Sequence, residues 1–502
     1  MIDYEAIVIG AGNGGLAAAA ALARGGARVL VLERHNIPGG CATSFCRGRF
    51  EFEVSLHQLS GLGRPEFPGP LRGLLQNLGV LSKLEFVEME NLFRFIVPDK
   101  VDLTLPANRA GIIRVLLERF PDEKGGIERF FDLVYRFFQE VISAFYLRDP
   151  EVTPEKYPLY FQYAFRDSQS VIDEYFRDPY LKLTVAGYWG YMGLPPRLLA
   201  FSDLAALLFA YIEFKPWHLK GGSQALSNAM AAAVLDAGGE IRFSCGAERI
   251  VTRDGAVQAV VTDRGEEITT RYVVSNASAV ATFAGLLDDG EKRKEALKEV
   301  RGAVVGTSFL TLYTGLRCPP GDVSITETTN FICTSTDMDR DFALCRTLDV
   351  SEPPLIISCY DVSDPDFSPE GTCQAAIVTM KYAEPWLRVP PEEYAAEKYR
   401  SAETILRRIE PHFPGFTANI EEMEVATPIT HMRYLGHPGG SPYGFEQHVK
   451  DSTLFRNPKP PVKGLYGTGA WYGMPGYQPT LTSGAAAARA ILREMSRKEN
   501  AR

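Results

Sequence analysis

The residues with the clearest chemistry are the glycines of Gly10-Ala11-Gly12-Asn13-Gly14-Gly15, with Glu33 placed 18 residues beyond Gly15. Gly10 permits a tight turn, and Gly12 has no side chain to block a diphosphate. Gly15 lets a helix pack closely on a strand. The N-terminus of the helix that follows then presents free N–H groups and a partial positive charge to the phosphates. The Glu33 carboxylate can accept hydrogen bonds from ribose hydroxyls and disfavours a ribose 2′-phosphate, so FAD or NAD fits better than NADP.

These residues need elements to hold them, and the sequence supplies them. Ala6-Ile7-Val8-Ile9 reads as a short apolar strand buried on both faces. An alanine-rich helix follows over Leu16–Arg24 and ends at Gly25-Gly26; Val29-Leu30-Val31-Leu32 is a second buried strand leading to Glu33. A lone glycine turn is weak evidence. Strand, turn, helix, strand and acid within about 30 residues make a dinucleotide site. Beyond Glu33 and Arg34, a second glycine pair, Gly39-Gly40, precedes Cys41-Ala42-Thr43-Ser44. Such a pair lets the backbone approach a second stretch of an extended cofactor, which favours FAD over NAD.

The Gly39–His57 segment resembles the "GG-x-x-x-T/S … G-x-x-F-D-x-G" region of the phytoene desaturase, carotenoid isomerase and retinol saturase family of flavoproteins. Glu53 stands at that family's aspartate, Ser55 replaces its usual glycine, and Leu56-His57 is similar to the "I/L-H" of the retinol saturase branch. Lys220-Gly221-Gly222-Ser223-Gln224-Ala225-Leu226 and Ala237-Gly238-Gly239-Glu240-Ile241 resemble its "GG-x-x-x-L … GG-x-I" unit. Thr427-Pro428-Ile429-Thr430, Arg433-Tyr434 and Gly439-Gly440-Ser441-Pro442-Tyr443-Gly444 resemble its "TP-x-T … RY … GGSxYG" stretch. Near the end, Gly464-Leu465-Tyr466-Gly467-Thr468-Gly469 leads to Met474-Pro475-Gly476-Tyr477 and the small-residue helix at Ser483-Gly484-Ala485-Ala486.

The resemblance implies an α/β fold with a discontinuous Rossmann-like FAD-binding domain. It places Gly10, Gly12, Asn13, Gly14, Gly15, Glu33, Arg34, Gly39, Gly40, Thr43, Ile250, Gly469, Pro475, Gly476 and Tyr477 at the cofactor, with Ile250 near the adenine and the 475–477 loop at the isoalloxazine. The expected division gives 1–75, 216–300 and 420–502 to that domain. Residues 76–215 form a helical, aromatic-rich cap, and 301–419 a mixed-sheet substrate region. Thr307–Tyr313 and Gln374–Met380 have the pattern of strands.

Residues 130–217 hold 23 of the chain's 55 aromatic residues (29 Phe, 22 Tyr, 4 Trp). Packed on themselves they make a cap core; arranged around a conduit they suit a long apolar substrate or contact with a lipid surface. The resemblance implies a polyene or isoprenoid substrate and hydride exchange at flavin N5, giving desaturation, saturation or isomerisation. His57, Glu213, Arg433 and Tyr443 are the candidates for proton relay or substrate contact. Each also has an ordinary structural reading, as a satisfied histidine, a surface acid, an ion-paired arginine and a packing tyrosine. Trp471 and Tyr472 either shape the pocket beside the flavin or fill core. Only one dinucleotide fingerprint is visible, so the partner expected for electrons is a quinone or another diffusible agent.

The net charge of −9 argues against a nucleic-acid binder. Eight cysteines show neither C-x-x-C pairing nor metal-ligand spacing, so no metal site is expected and reduced thiols in the cytoplasm are the default reading. No run approaches the roughly 20 apolar residues that cross a bilayer, which leaves peripheral membrane contact as the form of association expected. Two rivals keep the fingerprint: a flavin amine oxidase of small substrates, and a prenyl-binding escort similar to the GDP-dissociation inhibitors that has lost its flavin.

Overall fold

The computed structural model describes residues 2–55, 57–147, 149–288, 290–452 and 460–500. Leu56 of the Leu56-His57 pair lies outside them, as do Ala501 and Arg502. Residues 497–500 continue the last helix.

Five parallel strands build the nucleotide sheet, in the order Glu240–Arg242, Val29–Leu32, Ala6–Ile9, Tyr272–Ser275, Leu465–Gly467. They come from three distant stretches of chain, and the central ones are wholly apolar because both faces are covered. On one face, Ala6, Val8, Val29, Val31 and Val274 pack on the helices Asn13–Arg24, Gly222–Asp236 and Tyr477–Asn500. On the other, Ile7, Ile9, Leu30, Leu32 and Val273 pack on a three-stranded antiparallel sheet of Ala247–Arg253, Ala256–Thr262 and Glu267–Thr269. The first and last helices approach so closely that a Cβ on Gly484 would lie 2.0 Å from the Gly14 carbonyl oxygen.

A second, seven-stranded sheet runs Ile420–Ala426, Ser308–Leu316, Cys373–Lys381, Leu355–Cys359, Thr329–Ile332, Asn91–Val97, Val101–Pro106. All its pairs are antiparallel except Thr329–Ile332 with Asn91–Val97. Alternation sorts its side chains. Leu310, Leu312, Ile357 and Ile377 face the amphipathic helix Tyr394–Ile409, while Phe331, Ile356, Val378 and Met380 face the aromatic helices.

The aromatic helices are Lys124–Val141, extended by a π-helical turn at Ile142–Tyr146, and Phe201–Glu213, joined by shorter helices between them. Ile127, Phe130, Phe131, Val134, Phe137, Phe138 and Val141 recur at helical spacing and are buried together. The span 76–215 is therefore not wholly helical: Asn91–Val97 and Val101–Pro106 are strands of the large sheet, and Ile420–Ala426 joins it from the far side. Their partners lie far away in sequence, beyond the reach of local periodicity. Among the described residues no helix is long and apolar enough to cross a membrane.

Candidate functional site

The glycine turn leaves Ile9 at the end of its strand, and no side chain caps the helix that starts at Asn13, so none takes up its first-turn amides. Gly10 has φ +92°, open only to glycine without strain. A Cβ on Gly15 would lie 2.0 Å from the Gly10 carbonyl oxygen, which shows how tightly helix meets turn. The Asn13 Oδ1 is buried without a hydrogen-bond partner. Glu33 is buried, its Oε2 accepting from the Ala11 amide at 2.6 Å and its Oε1 from the His35 amide at 2.8 Å. An ionised carboxylate keeps further lone pairs for ribose hydroxyls.

The second glycine pair packs directly on the first. The Gly39 amide donates to the Ala11 carbonyl at 2.8 Å, and a Cβ on Gly40 would stand 3.3 Å from the Gly12 Cα. The helix Gly222–Asp236 clamps this loop from behind. Gln224 accepts at Oε1 from the Thr43 hydroxyl (2.7 Å) and donates from Nε2 to the Pro38 carbonyl (3.2 Å), and the Ser227 hydroxyl donates to the Ala42 carbonyl (2.6 Å). Thr43 is thus held by the clamp helix. Glu53, which stands at the family's aspartate, caps that helix: it accepts from the Ser223 amide and hydroxyl, both at 2.6 Å.

Ser55 links three loops. Its hydroxyl donates to the Cys41 carbonyl at 2.7 Å and lies 2.9 Å from the Tyr477 hydroxyl, tying the second glycine loop to the start of the last helix. That helix follows Met474-Pro475-Gly476, and Gly476 takes φ +106°. Gly469, at φ +89°, donates its amide to the Ser483 hydroxyl at 3.0 Å. Trp471 and Tyr472 are buried against Phe445 and Phe283, so they fill core. The Ile250 side chain is likewise fully buried, beneath the nucleotide sheet, and only its backbone can meet a nucleotide.

The four catalytic candidates separate. His57 sits above the large sheet, its Nδ1 2.9 Å from the Ser358 hydroxyl and its ring stacked on Tyr191 with centroids 6.1 Å apart. Burial holds its pKa down at about 4, so the imidazole is neutral. Tyr443 donates to the Gly190 carbonyl at 2.7 Å and so fixes the turn that carries Tyr191; desolvation raises its pKa. Glu213 and Arg433 lie elsewhere. Glu213 lies beside Tyr135 within the cap, where burial first and the neighbouring carboxyl second raise the phenol's pKa. Arg433 is exposed on the helix Pro428–Leu435, its guanidinium 5.9 Å from the Tyr434 ring centroid. The loop at Gly439–Gly444 resembles the family, but the arginine before it points to solvent. Arg34 donates to the Tyr434 carbonyl at 2.9 Å, capping the C-terminus of the same helix.

Other residues at this site carry no local sequence signal. The Asn276 side-chain amide occupies the space that Cβ atoms on Gly12, Gly14 and Gly469 would need, at 2.6, 2.6 and 2.7 Å. It follows the buried strand Tyr272–Ser275, whose apolar run is the one clue to it. Tyr191, Thr329 and Ser358 join His57 only through sheet register and cap packing. Among the described residues no group of His, Cys, Asp or Glu has the arrangement of a metal site.

The uncapped helix and the glycine cradle fit a dinucleotide diphosphate. Residues 14–492 match the family of flavin containing amine oxidoreductases. The chain is 27% identical over 478 residues to a prolycopene isomerase of Daucus carota, covering 88% of this chain and 72% of that one. It is 26% identical over 540 residues to an all-trans-retinol 13,14-reductase of Danio rerio, covering 98% and 86%. Its fold is similar to that of an oxidoreductase from Methanosarcina mazei, with a TM-score of 0.65 at 16% identity over 97% of this chain and 100% of that one. The cofactor is FAD. The chain belongs to the flavin containing amine oxidoreductases, and within them it stands with the carotenoid isomerase and retinol saturase flavoproteins whose motifs it carries.

Proposed function

We propose that this flavoprotein acts on carbon–carbon bonds of an apolar polyene or isoprenoid. Bound FAD supplies the hydride acceptor or donor, and Gly10–Gly15, Glu33 and the Gly39–Thr43 loop are the residues to hold it. The observation that carries the reading is the surroundings of His57. On one side stands the Ser55–Tyr477 link of the flavin loops; on the other, a sheet face of Phe331, Ile356 and Val378 covered by an aromatic cap. Such walls exclude water and reward desolvation of a long hydrocarbon chain at about 0.8 kcal/mol per CH₂. The neutral His57, bonded to Ser358, can accept or return a proton at the carbon beside the hydride position.

Relatives named for isomerising prolycopene and reducing retinol support the polyene class. The fold accommodates desaturation, saturation and isomerisation alike, so the product must separate them. Electrons pass to or from a diffusible partner such as a quinone, and the exposed apolar edge of the cap at Tyr146, Leu147, Phe161 and Phe165 offers a peripheral contact with membrane.

The test is anaerobic incubation of the flavin-loaded protein with carotenoids, retinoids, prenylquinones and small amines, following flavin absorbance near 450 nm and product mass together. Bleaching or a mass or isomer change with a polyene is expected. Turnover of amines alone overturns the reading in favour of an amine oxidase, and a colourless protein that never takes up FAD favours an escort.

A further inference from the structure

We infer that Asn276 is a cofactor ligand, its side-chain amide donating to the FAD diphosphate from the strand beside the glycine turn. The inference concerns the cofactor and holds whatever the substrate. Asn276 directly follows Tyr272–Ser275, which pairs with Ala6–Ile9 on the side away from Val29–Leu32. The strand order therefore reverses at Ala6–Ile9, and open α/β sheets take ligands in the crevice outside the carboxyl ends at such a point. Gly10 leaves one of those ends and Asn276 the other, with the Asn276 backbone amide donating to the Ile9 carbonyl at 2.8 Å.

The side chain lies along the turn. Its nitrogen faces Gly12, where an added Cβ would stand 2.6 Å away, and Gly12 is the residue whose missing side chain leaves a diphosphate room. Its oxygen faces Gly14 and Gly469, at 2.6 and 2.7 Å from their added Cβ atoms, and its own Cβ lies 3.2 Å from one on Gly15. An asparagine at a strand end ordinarily turns back to bond neighbouring backbone. This one does not. Among the described residues its carboxamide makes no hydrogen bond, and the residue is only half-buried. Two N–H donors are thus held without a protein partner in the crevice where the fold takes a phosphate. Phosphate oxygens need donors, and a bond to a charged acceptor is among the stronger ones. The first-turn amides of Asn13–Arg24 supply donors from the helix side, and Asn276 supplies them from the sheet side.

The experiment dialyses the full-length protein and its variants against graded FAD, reads bound flavin by absorbance near 450 nm, and melts each chain without FAD. Asn276→Asp keeps size and shape but replaces the donors with a negative charge, whereas Asn276→Leu keeps the bulk alone. Asn276→Leu is expected to weaken FAD binding about tenfold, and Asn276→Asp about a hundredfold or more, since a carboxylate repels the diphosphate. The affinity of N276D should recover toward that of N276L as pH falls from about 8 to about 5, because protonation removes the like charge. The ratio of wild type to N276L should stay constant over the same range. Without FAD, N276D should melt with the wild type, because no hydrogen bond within the protein is lost. Wild-type FAD affinity in N276D, or a loss matched by an equal fall in melting of the FAD-free chain, overturns the inference and leaves Asn276 a spacer between glycines. Wild-type protein that takes up no FAD overturns the cofactor assignment as well.

Discussion

Glu53 takes both the amide and the hydroxyl of Ser223, so one buried carboxylate fastens the strand Phe50–Glu53 to the first turn of the helix Gly222–Asp236. Through Gln224 and Ser227 the same helix holds the carbonyls and hydroxyl of the loop 38–44. The acid therefore sets the shape of the loop that packs against Gly12.

Glu53→Ala is expected to destabilise the fold by about 2–4 kcal/mol, because it removes a charge-assisted cap and leaves the Ser223 amide buried without its partner. Glu53→Gln keeps an acceptor and should cost about half as much. Urea unfolding of the FAD-free protein reads the stability, and FAD titration reads the loop. Wild-type FAD affinity in a destabilised Glu53→Ala protein would show that the clamp does not govern the cofactor.

Two glycines of the fingerprint should respond differently. A Cβ at Gly15 meets backbone, the Gly10 carbonyl at 2.0 Å, and nothing there can yield, so Gly15→Ala should abolish FAD retention and folding at 37 °C together. A Cβ at Gly12 meets the Asn276 side-chain amide at 2.6 Å and the Gly39 carbonyl at a comfortable 3.7 Å. Gly12→Ala should fold with a penalty of about 1–3 kcal/mol, and Asn276→Ala in the same chain should recover most of it. FAD affinity in the double variant stays below wild type by roughly tenfold or more if the diphosphate lies over Gly12. Absorbance near 450 nm after gel filtration distinguishes the cases.

How far the chain could be read follows from range. Ala6–Ile9, the glycine turn, Val29–Leu32 and Glu33 are consecutive and each is set by its own residues, so the nucleotide unit stands in the structure where the local pattern puts it. Asn91–Val97 was hidden within the span read as cap because its meaning depends on pairing with Thr329–Ile332 and Val101–Pro106. Thr329 and Ser358 carry no motif: they face each other across adjacent strands, and only that register brings them to His57. Glu213 has aromatic neighbours in sequence, and the fold adds Tyr135 beside it from a distant helix.

Asp341 makes a prediction about pH. It is buried in the helix Met338–Leu344 with both carboxylate oxygens lacking partners, and burial lifts its pKa to about 7. Unfolded, it would ionise near 3.9. Between those values the folded state binds more protons, so this group makes stability fall as pH rises through about 4 to 7. His57, His431 and His437, each held down at about 4 by burial, act in the opposite sense, adding stability as pH rises from about 4 to 6.5. Asp341→Asn should therefore stabilise the protein by about 1–3 kcal/mol at pH 8 and hardly at all at pH 4. Urea midpoints at pH 4.5, 6 and 8 check this, and an equal effect at every pH would show that the carboxyl is not titrating in that window.

The cap edge makes the last prediction. Leu147 is 73% exposed, Phe165 56% and Tyr146 50%, all at the end of the long aromatic helix or in the segment that packs beside it, and single exposed side chains of this size are tolerated in water only at the loss of their burial energy. Partial insertion of two such side chains into an interface contributes enough for at least a tenfold gain in partition. Because the chain is acidic overall, the attraction is apolar, and neutral phosphatidylcholine vesicles should bind at least as well as anionic ones at low salt. Leu147→Glu with Phe165→Glu should release the protein from sedimenting vesicles without lowering its melting temperature, since neither side chain belongs to the buried core. Wild-type protein that stays in the supernatant with both lipids would remove the membrane from the account, and the substrate would then have to reach the cap by way of a soluble carrier.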